Sequence, residues 1–189
     1  PSDDQLLVRV YGSTVNRTDS GFRSAQYFIS RFFSGLFKPT YGVLGSEFSG
    51  TVIQIGKNVT SFAVGDQVFG FNDPRFGGHG EFLTIGEKEF VTHVPKNLPL
   101  NECTAIAEGA HYAQSIIRAA NVQPRQNVMV YGANGAIGSA AAQLFKHMKA
   151  TVTAVCNTKK WSSLKDLERT KSSTTKRKTS QKQTLNFTS

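Results

Sequence analysis

No stretch of this 189-residue chain is apolar for the ~20 residues that a bilayer-spanning helix needs, so an integral helical membrane protein is excluded. Cysteine is almost absent. Cys103 and Cys156 lie far apart with no C-x-x-C pair, and neither a disulfide framework nor a structural zinc site is signalled. His79, His93, His111 and His147 show no metal-ligand spacing, and each reads as a surface or satisfied core residue. No signal peptide is visible, which points to the cytoplasm. The chain opens on Pro1 at the approach to a strand, so residues ahead of it are expected to be missing.

A balanced charge is also absent, but only from one end. The formal net charge is +9, which would ordinarily suggest nucleic acid or an acidic surface as partner. Residues 1–158 hold 13 Lys and Arg against 11 Asp and Glu, so that body stands at +2. Residues 159–189 hold 9 against 2 and supply +7. The basic character belongs to the tail.

What is present is short, glycine-punctuated strand pattern. "LLVRVYGSTVN" (6–16) begins with Leu6, Val8 and Val10 in alternation, a half-buried strand. "FSGTVIQIG" (48–56), "GDQVFGF" (65–71), "GEFLTIG" (80–86) and "FVTHVP" (90–95) follow, and together predict a compact antiparallel β domain, a partly closed barrel. The intervening "GFRSAQYFISRFFSGLFKPTY" (21–41) is too aromatic for a solvated loop. Its Phe28, Phe32, Phe33, Leu36 and Phe37 read as core, cleft lid or partner surface, core being the plainest.

The period then changes. "NECTAIAEGAHYAQSIIRAA" (101–120) is Ala-rich and helical in pattern, with Asn101 as N-cap. "QNVMVYG" reads as a short buried strand, "AIGSAAAQLFKHMKA" as a helix and "TVTAVC" as a second buried strand. Strand, Gly-rich turn, helix and strand make a βαβ unit, whose near-continuous apolar strands suit a parallel sheet.

The turn "YGANGAIG" (131–138) carries the chemistry. Read as A-x-G-x-x-G, it sets Ala133, Gly135 and Gly138 at the fingerprint positions of a dinucleotide fold, with Asn134, Ala136 and Ile137 between them. The middle Gly lets a pyrophosphate approach the backbone, the last lets the helix pack closely, and the helix N-terminus offers N–H groups and positive potential. A Gly-rich turn that merely closes the chain is the plainer alternative, which the flanking strand, helix and second strand disfavour. An NAD site usually places an acid near the end of the second strand. Here that region reads "CNTKK", and Gly109 to Lys165 contain no carboxylate, while Arg118, Arg125, Lys146, Lys149, Lys159, Lys160 and Lys165 are cationic. This favours NADPH over NADH, with Asn157, Thr158 and Lys159 as contacts; a solvated loop is the alternative.

The words "VNRTD" (15–19), "LGSEFSGTVIQIGKNVTSFAVGDQVFGF" (44–71), "AEGAHYA" (107–113), "VQPRQNVMVYGANGAIGSAAAQL" (122–144) and "TAVCNT" (153–158) resemble the medium-chain dehydrogenase/reductase superfamily, in its zinc-independent, quinone-oxidoreductase-like branch. The resemblance implies a mixed α/β protein: a GroES-like domain (1–98, its first strands missing), then the first βαβ unit of a Rossmann domain (99–158). Zinc-dependent relatives carry Cys where this chain has Asn16, and His of a G-H-E motif where it has Ser46, so no metal is expected. The resemblance further implies hydride transfer from NADPH to a quinone, enone or other conjugated carbonyl. In it Asn16 lies near the nicotinamide, Tyr112 is a hydrogen-bond donor to a developing oxyanion and Asp19 is structural. Intact relatives are often homodimers.

Beyond Lys159 the resemblance stops. Residues 161–189 contain no Gly, Ala, Val or Ile but 6 Ser and 6 Thr. Permitted codons for "WSSLKDLERTKSSTT", read in the neighbouring frame, translate as E-L-V-K-G-L-G-A-D-K-V-I-D-Y, a continuation similar to the family's. The expectation is that residues from about 159 onward are out of frame and form a disordered basic tail. The chain would then be an inactive fragment with an exposed sheet edge. The alternatives are a non-catalytic dinucleotide-binding remnant and, through the tail, nucleic-acid binding. Trp161 and Phe187 alone could stack on bases, which disfavours the last.

Overall fold

Alternation along Gln5–Ser13 forms β1, in which Leu6 and Val8 are fully buried. This computed structural model describes residues 1–24, 32, 35, 40–157, 173–176 and 182–187. They fall into two units, Pro1–Ala107 and Glu108–Ser189. No helix among the described residues is long and apolar enough to cross a membrane.

In the first unit β1 pairs with β2 (Glu47–Ile55) and β4 (Phe82–Gly86), and β3 (Gln67–Phe71) joins β2 to β5 (Val91–His93). Every pair is antiparallel, and the order is β4-β1-β2-β3-β5. The two edges, β4 and β5, do not pair with each other, so the sheet stays open rather than closing into a barrel. Leu6, Val8, Phe48, Val52, Val68, Leu83 and Ile85 form its core, so one face of each strand supplies the hydrophobic driving force. Helix α1 (Arg17–Ser24) follows β1. Phe32, from the aromatic stretch, is 63% exposed and not core; Phe28, Phe33, Leu36 and Phe37 lie outside the described residues.

The long helix expected over 101–120 is two helices, α2 (Leu100–Cys103) and α3 (Ala107–Ala120). Pro99, not Asn101, is the N-cap of α2. Its φ is held near the helical value, and its carbonyl takes the N–H groups of Glu102 and Cys103 at 3.1 and 3.4 Å. The break follows Thr104, whose Oγ1 lies 2.5 Å from Ser49 Oγ on β2, while Cys103 is fully buried. This tertiary anchor ties α2 to the sheet of the first unit.

In the second unit β6 (Asn127–Tyr131) and β7 (Thr151–Asn157) are parallel, connected through α4 (Ala136–His147), as the βαβ pattern predicts. Ala113 and Ile117 of α3 join Val130, Ala141, Ala142, Phe145, Val152, Ala154 and Cys156 in the core. Two further strands, β8 (Ser173–Lys176) and β9 (Lys182–Phe187), extend the sheet in the order β6-β7-β9-β8, with β9 antiparallel to β7. They lie in the segment read as disordered. An unpaired edge of β7 offers a row of N–H and C=O groups, and a Thr-containing segment has the strand propensity to take them.

Candidate functional site

In the second unit β6 delivers the chain to Gly132, whose φ of 76° suits glycine. The N–H groups of Gly132 and Ala133 both donate to the Val155 carbonyl, at 2.8 and 3.1 Å, which pins the loop to the end of β7. Gly135 is the N-cap of α4 and brings no side-chain cap. The helix's first i to i−4 bond is Ser139 N–H to Gly135 O, 2.8 Å. The first-turn N–H groups of α4 therefore precede the intrahelical ladder and carry the helix's positive end.

The two glycines differ in what they permit. A Cβ on Gly138 would lie 2.3 Å from Gly132 O and 2.8 Å from Gly132 C, so only glycine lets α4 rest on the loop. A Cβ on Gly135 would meet nothing nearer than Gly132 O at 3.4 Å. Gly138 is thus needed by the fold, whereas Gly135 leaves bare main chain at the helix end. Gly135 and Ala136 are exposed, Ile137 is 38% exposed, Asn134 is half-buried and Ala133 is fully buried. Main-chain donors at a helix N-terminus, with no carboxylate in the loop, fit a phosphate group.

Helix α3 lies against this end of α4, since a Cβ on Gly109 would sit 3.0 Å from Ala136 O. Tyr112, one turn further along α3, is 38% exposed, and its ring stands edge-on to His111 with centroids 5.6 Å apart. Asn157 is the last residue of β7; Thr158 and Lys159 lie outside the described residues. Arg125, Lys146 and Lys149 do not lie around the loop. Arg125 donates its N–H to the Lys149 carbonyl (2.8 Å), and Lys146 lies in the last turn of α4. All three stand where β6 and β7 begin. The five residues of β6 separate that end from the loop, about 16 Å of strand.

The first unit gathers a different set of groups. Asn16 caps α1: its Oδ1 accepts the Asp19 N–H (3.0 Å), and Asp19 Oδ2 accepts the Asn16 N–H (3.0 Å), a reciprocal capping box. Asp19, 2% exposed, also accepts the Gly45 N–H on Oδ1 at 3.0 Å. Asn16 Nδ2 donates to Ser46 Oγ at 2.6 Å. Glu47, 5% exposed, accepts from Thr14 Oγ1 at 2.6 Å. Gly45, with φ of 94°, turns the chain into this cluster; a Cβ there would meet His79 N at 2.5 Å.

Asn16 and Ser46, the two positions that resemblance compares with zinc ligands, are thus brought into direct contact, and they satisfy each other with an amide and a hydroxyl. Neither supplies the thiolate or imidazole that zinc prefers. Among the described residues no group of three His, Cys, Asp or Glu side chains is placed to hold a metal ion. Burial pushes the thiols of Cys103 and Cys156 up from their ordinary value, so both stay protonated and unreactive. The N-x-x-D spacing of Asn16 and Asp19 was a legible capping signature. The convergence of Gly45, Ser46 and residues 72–79 on it had no local signal.

Three comparisons bear on this arrangement. The family described as alcohol dehydrogenase GroES-like domain matches residues 2–124. The chain is 31% identical over 177 residues to a mitochondrial NAD(P)H oxidoreductase, RTN4IP1, of Dictyostelium discoideum, covering 88% of this chain and 49% of that protein. It is 31% identical over 146 residues to the quinone oxidoreductase of Homo sapiens, covering 76% and 41% respectively. The crystal structure of an alcohol dehydrogenase superfamily protein from Novosphingobium aromaticivorans superposes with a TM-score of 0.74 at 26% identity, covering 89% of this chain and 50% of that one. The chain spans about half the length of the curated relatives it matches or less.

Proposed function

The chain belongs to the alcohol dehydrogenase GroES-like family, and from that premise we propose that it derives from an oxidoreductase moving hydride from a nicotinamide dinucleotide to a quinone or conjugated carbonyl, without zinc, and is by itself an inactive fragment of it. The observation that carries this reading is the bare main chain at Gly135, beside a loop pinned to β7 and a helix end with no side-chain cap. The loop from Ala133 to Gly138 holds the pyrophosphate through first-turn N–H groups of α4, with Asn134, Ala136 and Ile137 shaping the bend.

When bound, the nicotinamide supplies the hydride; the remaining work falls to this chain's residues. Asn16 Nδ2, oriented by Ser46 and the capping box, positions the acceptor's oxygen or the carboxamide. The Tyr112 hydroxyl donates a hydrogen bond to the developing oxyanion, and solvent supplies the proton. The Asn16–Ser46 hydrogen bond supports operation without a Lewis acid at that place. NADPH is preferred over NADH, a reading supported by the absence of any carboxylate from Gly109 to Lys165, with Asn157, Thr158 and Lys159 as the proposed contacts of the ribose phosphate. The cations at the far end of the sheet lend that preference nothing.

Titration of the full chain with NADPH and NADH separately, by calorimetry, tests the proposal. NADPH should bind more tightly, and Gly135→Ala should weaken it about tenfold or more while leaving the thermal midpoint in place. Absence of binding, or unchanged affinity in the folded variant, refutes it. Quinone-dependent NADPH oxidation that appears only when the reading frame past residue 159 is restored selects the oxidoreductase, whereas tight binding without turnover in both forms selects the non-catalytic dinucleotide-binding reading instead.

A further inference from the structure

Asn134–Gly135 is the only asparagine–glycine pair in the chain. Such a pair carries its own electrophile and nucleophile, the side-chain carbonyl carbon of Asn134 and the main-chain nitrogen of Gly135, as members of one small prospective ring. Closing that ring requires the main chain to swing the nitrogen onto the side chain, and glycine puts no Cβ in the way.

The structure leaves the pair open. Gly135 is exposed and Asn134 half-buried. A Cβ on Gly135 would meet nothing nearer than Gly132 O at 3.4 Å, so no neighbour crowds the nitrogen. Among the described residues no hydrogen bond holds the Asn134 side chain. The restraint is the Gly135 N–H, which donates to the Gly132 carbonyl (2.9 Å) and must release it before the nitrogen attacks. Other asparagines are held. Buried Asn72 donates its N–H to the Ser46 carbonyl (2.6 Å) and its Nδ2 to the Phe76 carbonyl (3.0 Å). Asn16 Nδ2 is fixed by Ser46 Oγ (2.6 Å), and Asn58 Nδ2 by Asp4 Oδ1 (2.9 Å) with branched Val59 next in line. Gly135 is also the N-cap of α4, whose positive end stabilises an anionic adduct and a carboxylate formed at Asn134.

We propose that Asn134–Gly135 is a self-modification site, where a succinimide forms and opens to aspartate or isoaspartate, and that this conversion ends binding of the dinucleotide's phosphates. The Gly135 nitrogen gives its proton to solvent and bonds to Asn134 Cγ. The bond from Cγ to Nδ2 then breaks, and Nδ2 leaves as ammonia. Water adds to one of the two ring carbonyls. Cleavage at Cγ restores the main chain and leaves aspartate, whereas cleavage at the Asn134 main-chain carbonyl carbon routes the chain through the side chain and leaves isoaspartate. Either product puts a carboxylate into a loop that has none, beside the first-turn N–H groups that a phosphate would take. The effect on the dinucleotide rests on the functional reading above; the modification does not.

The test is timed ageing of the full chain in mildly alkaline buffer. Peptide mass spectrometry reads the gain from amide to acid, and enzymatic methyl labelling reads isoaspartate. The proteins are the parent, Gly135→Ala and Asn134→Asp. Asn134 should convert before any other asparagine, with isoaspartate among the products. Gly135→Ala should slow that conversion about tenfold, by closing conformations open only to glycine. The fraction of the parent that binds NADPH tightly should fall in step with the converted fraction. Freshly prepared Asn134→Asp should bind NADPH about tenfold more weakly than fresh parent. Conversion led by another asparagine, or equally fast in folded Gly135→Ala, overturns the inference. So does Asn134→Asp that keeps the parent's thermal midpoint and binds NADPH as the parent does. Fresh parent that does not bind NADPH fails the oxidoreductase reading instead, and the mass readout still decides the modification.

Discussion

The two units solve the same problem, burying one face of a small sheet, with opposite tolerance for exposure. In the first, antiparallel strands keep their apolar residues on one side, and Leu6, Val8, Val52, Val68 and Ile85 reach full burial. In the second, Val130, Val152 and Ala154 are buried on the helix side, while Met129 and Tyr131 on β6 stay 71% and 68% exposed. An antiparallel sheet ordinarily leaves a face to water, whereas parallel strands are ordinarily covered on both. The first unit therefore has a self-contained core, and the second concentrates its stability on the α3 and α4 side. Each also carries its own polar apparatus: side chains gathered by tertiary hydrogen bonds in the first, main-chain groups at a helix end in the second.

The sharpest way to break this comparison is Phe48→Ala. It removes the largest fully buried side chain of the first unit and should cost about 3–5 kcal/mol there, leaving hydrogen-exchange protection of β6 and β7 in place. Loss of protection in both units together would mean that they unfold as one. Gly138→Ala should act the other way, lowering protection in α4 and β7 by about 1–3 kcal/mol through overlap with the Gly132 carbonyl, with the first sheet unaffected.

A smaller effect follows from pH. The Asp66 carboxyl is held below its ordinary value, chiefly by the Ala63 N–H that it accepts (2.8 Å) and then by His93 (3.0 Å). A depressed carboxylate stabilises the fold above its unfolded pKa, and that stabilisation disappears as pH falls through the folded value. Acid unfolding of the first unit should therefore begin at lower pH in the Asp66→Asn variant than in the parent, when each is compared with its own stability at neutral pH. Least of all, Met129→Thr should shift stability by no more than about 0.5 kcal/mol. A loss above about 1 kcal/mol would mean that this face is covered in solution, and the contrast between the units would narrow.

Much of the fold was legible because its signals are local. Alternation at Leu6, Val8 and Val10 marked β1, and the change of period at Asn127–His147 marked the βαβ unit with its turn at Gly132–Gly138. The single helix expected over 101–120 is divided because Pro99 caps it two residues ahead of Asn101, and because Thr104 is claimed by Ser49, a partner 55 residues away. The barrel expected from strand spacing is an open sheet, since spacing says nothing about whether β4 meets β5. The out-of-frame reading of the tail concerns codons, and sequencing the gene across codons 155–165 decides it: a neighbouring frame without the E-L-V-K-like continuation would end it.

From the order of residues alone came the strands, the glycine turn and the missing acid after it, because backbone propensity and period act over a few positions. The chain's path in space decided the rest. It brought Asn16 against Ser46, linked Asn72 to both Ser46 and Phe76, and carried Arg125 and Lys149 to the wrong end of the sheet. Those relations join residues far apart in sequence, and their partners are chosen by which buried donors and acceptors must be satisfied once the core has closed.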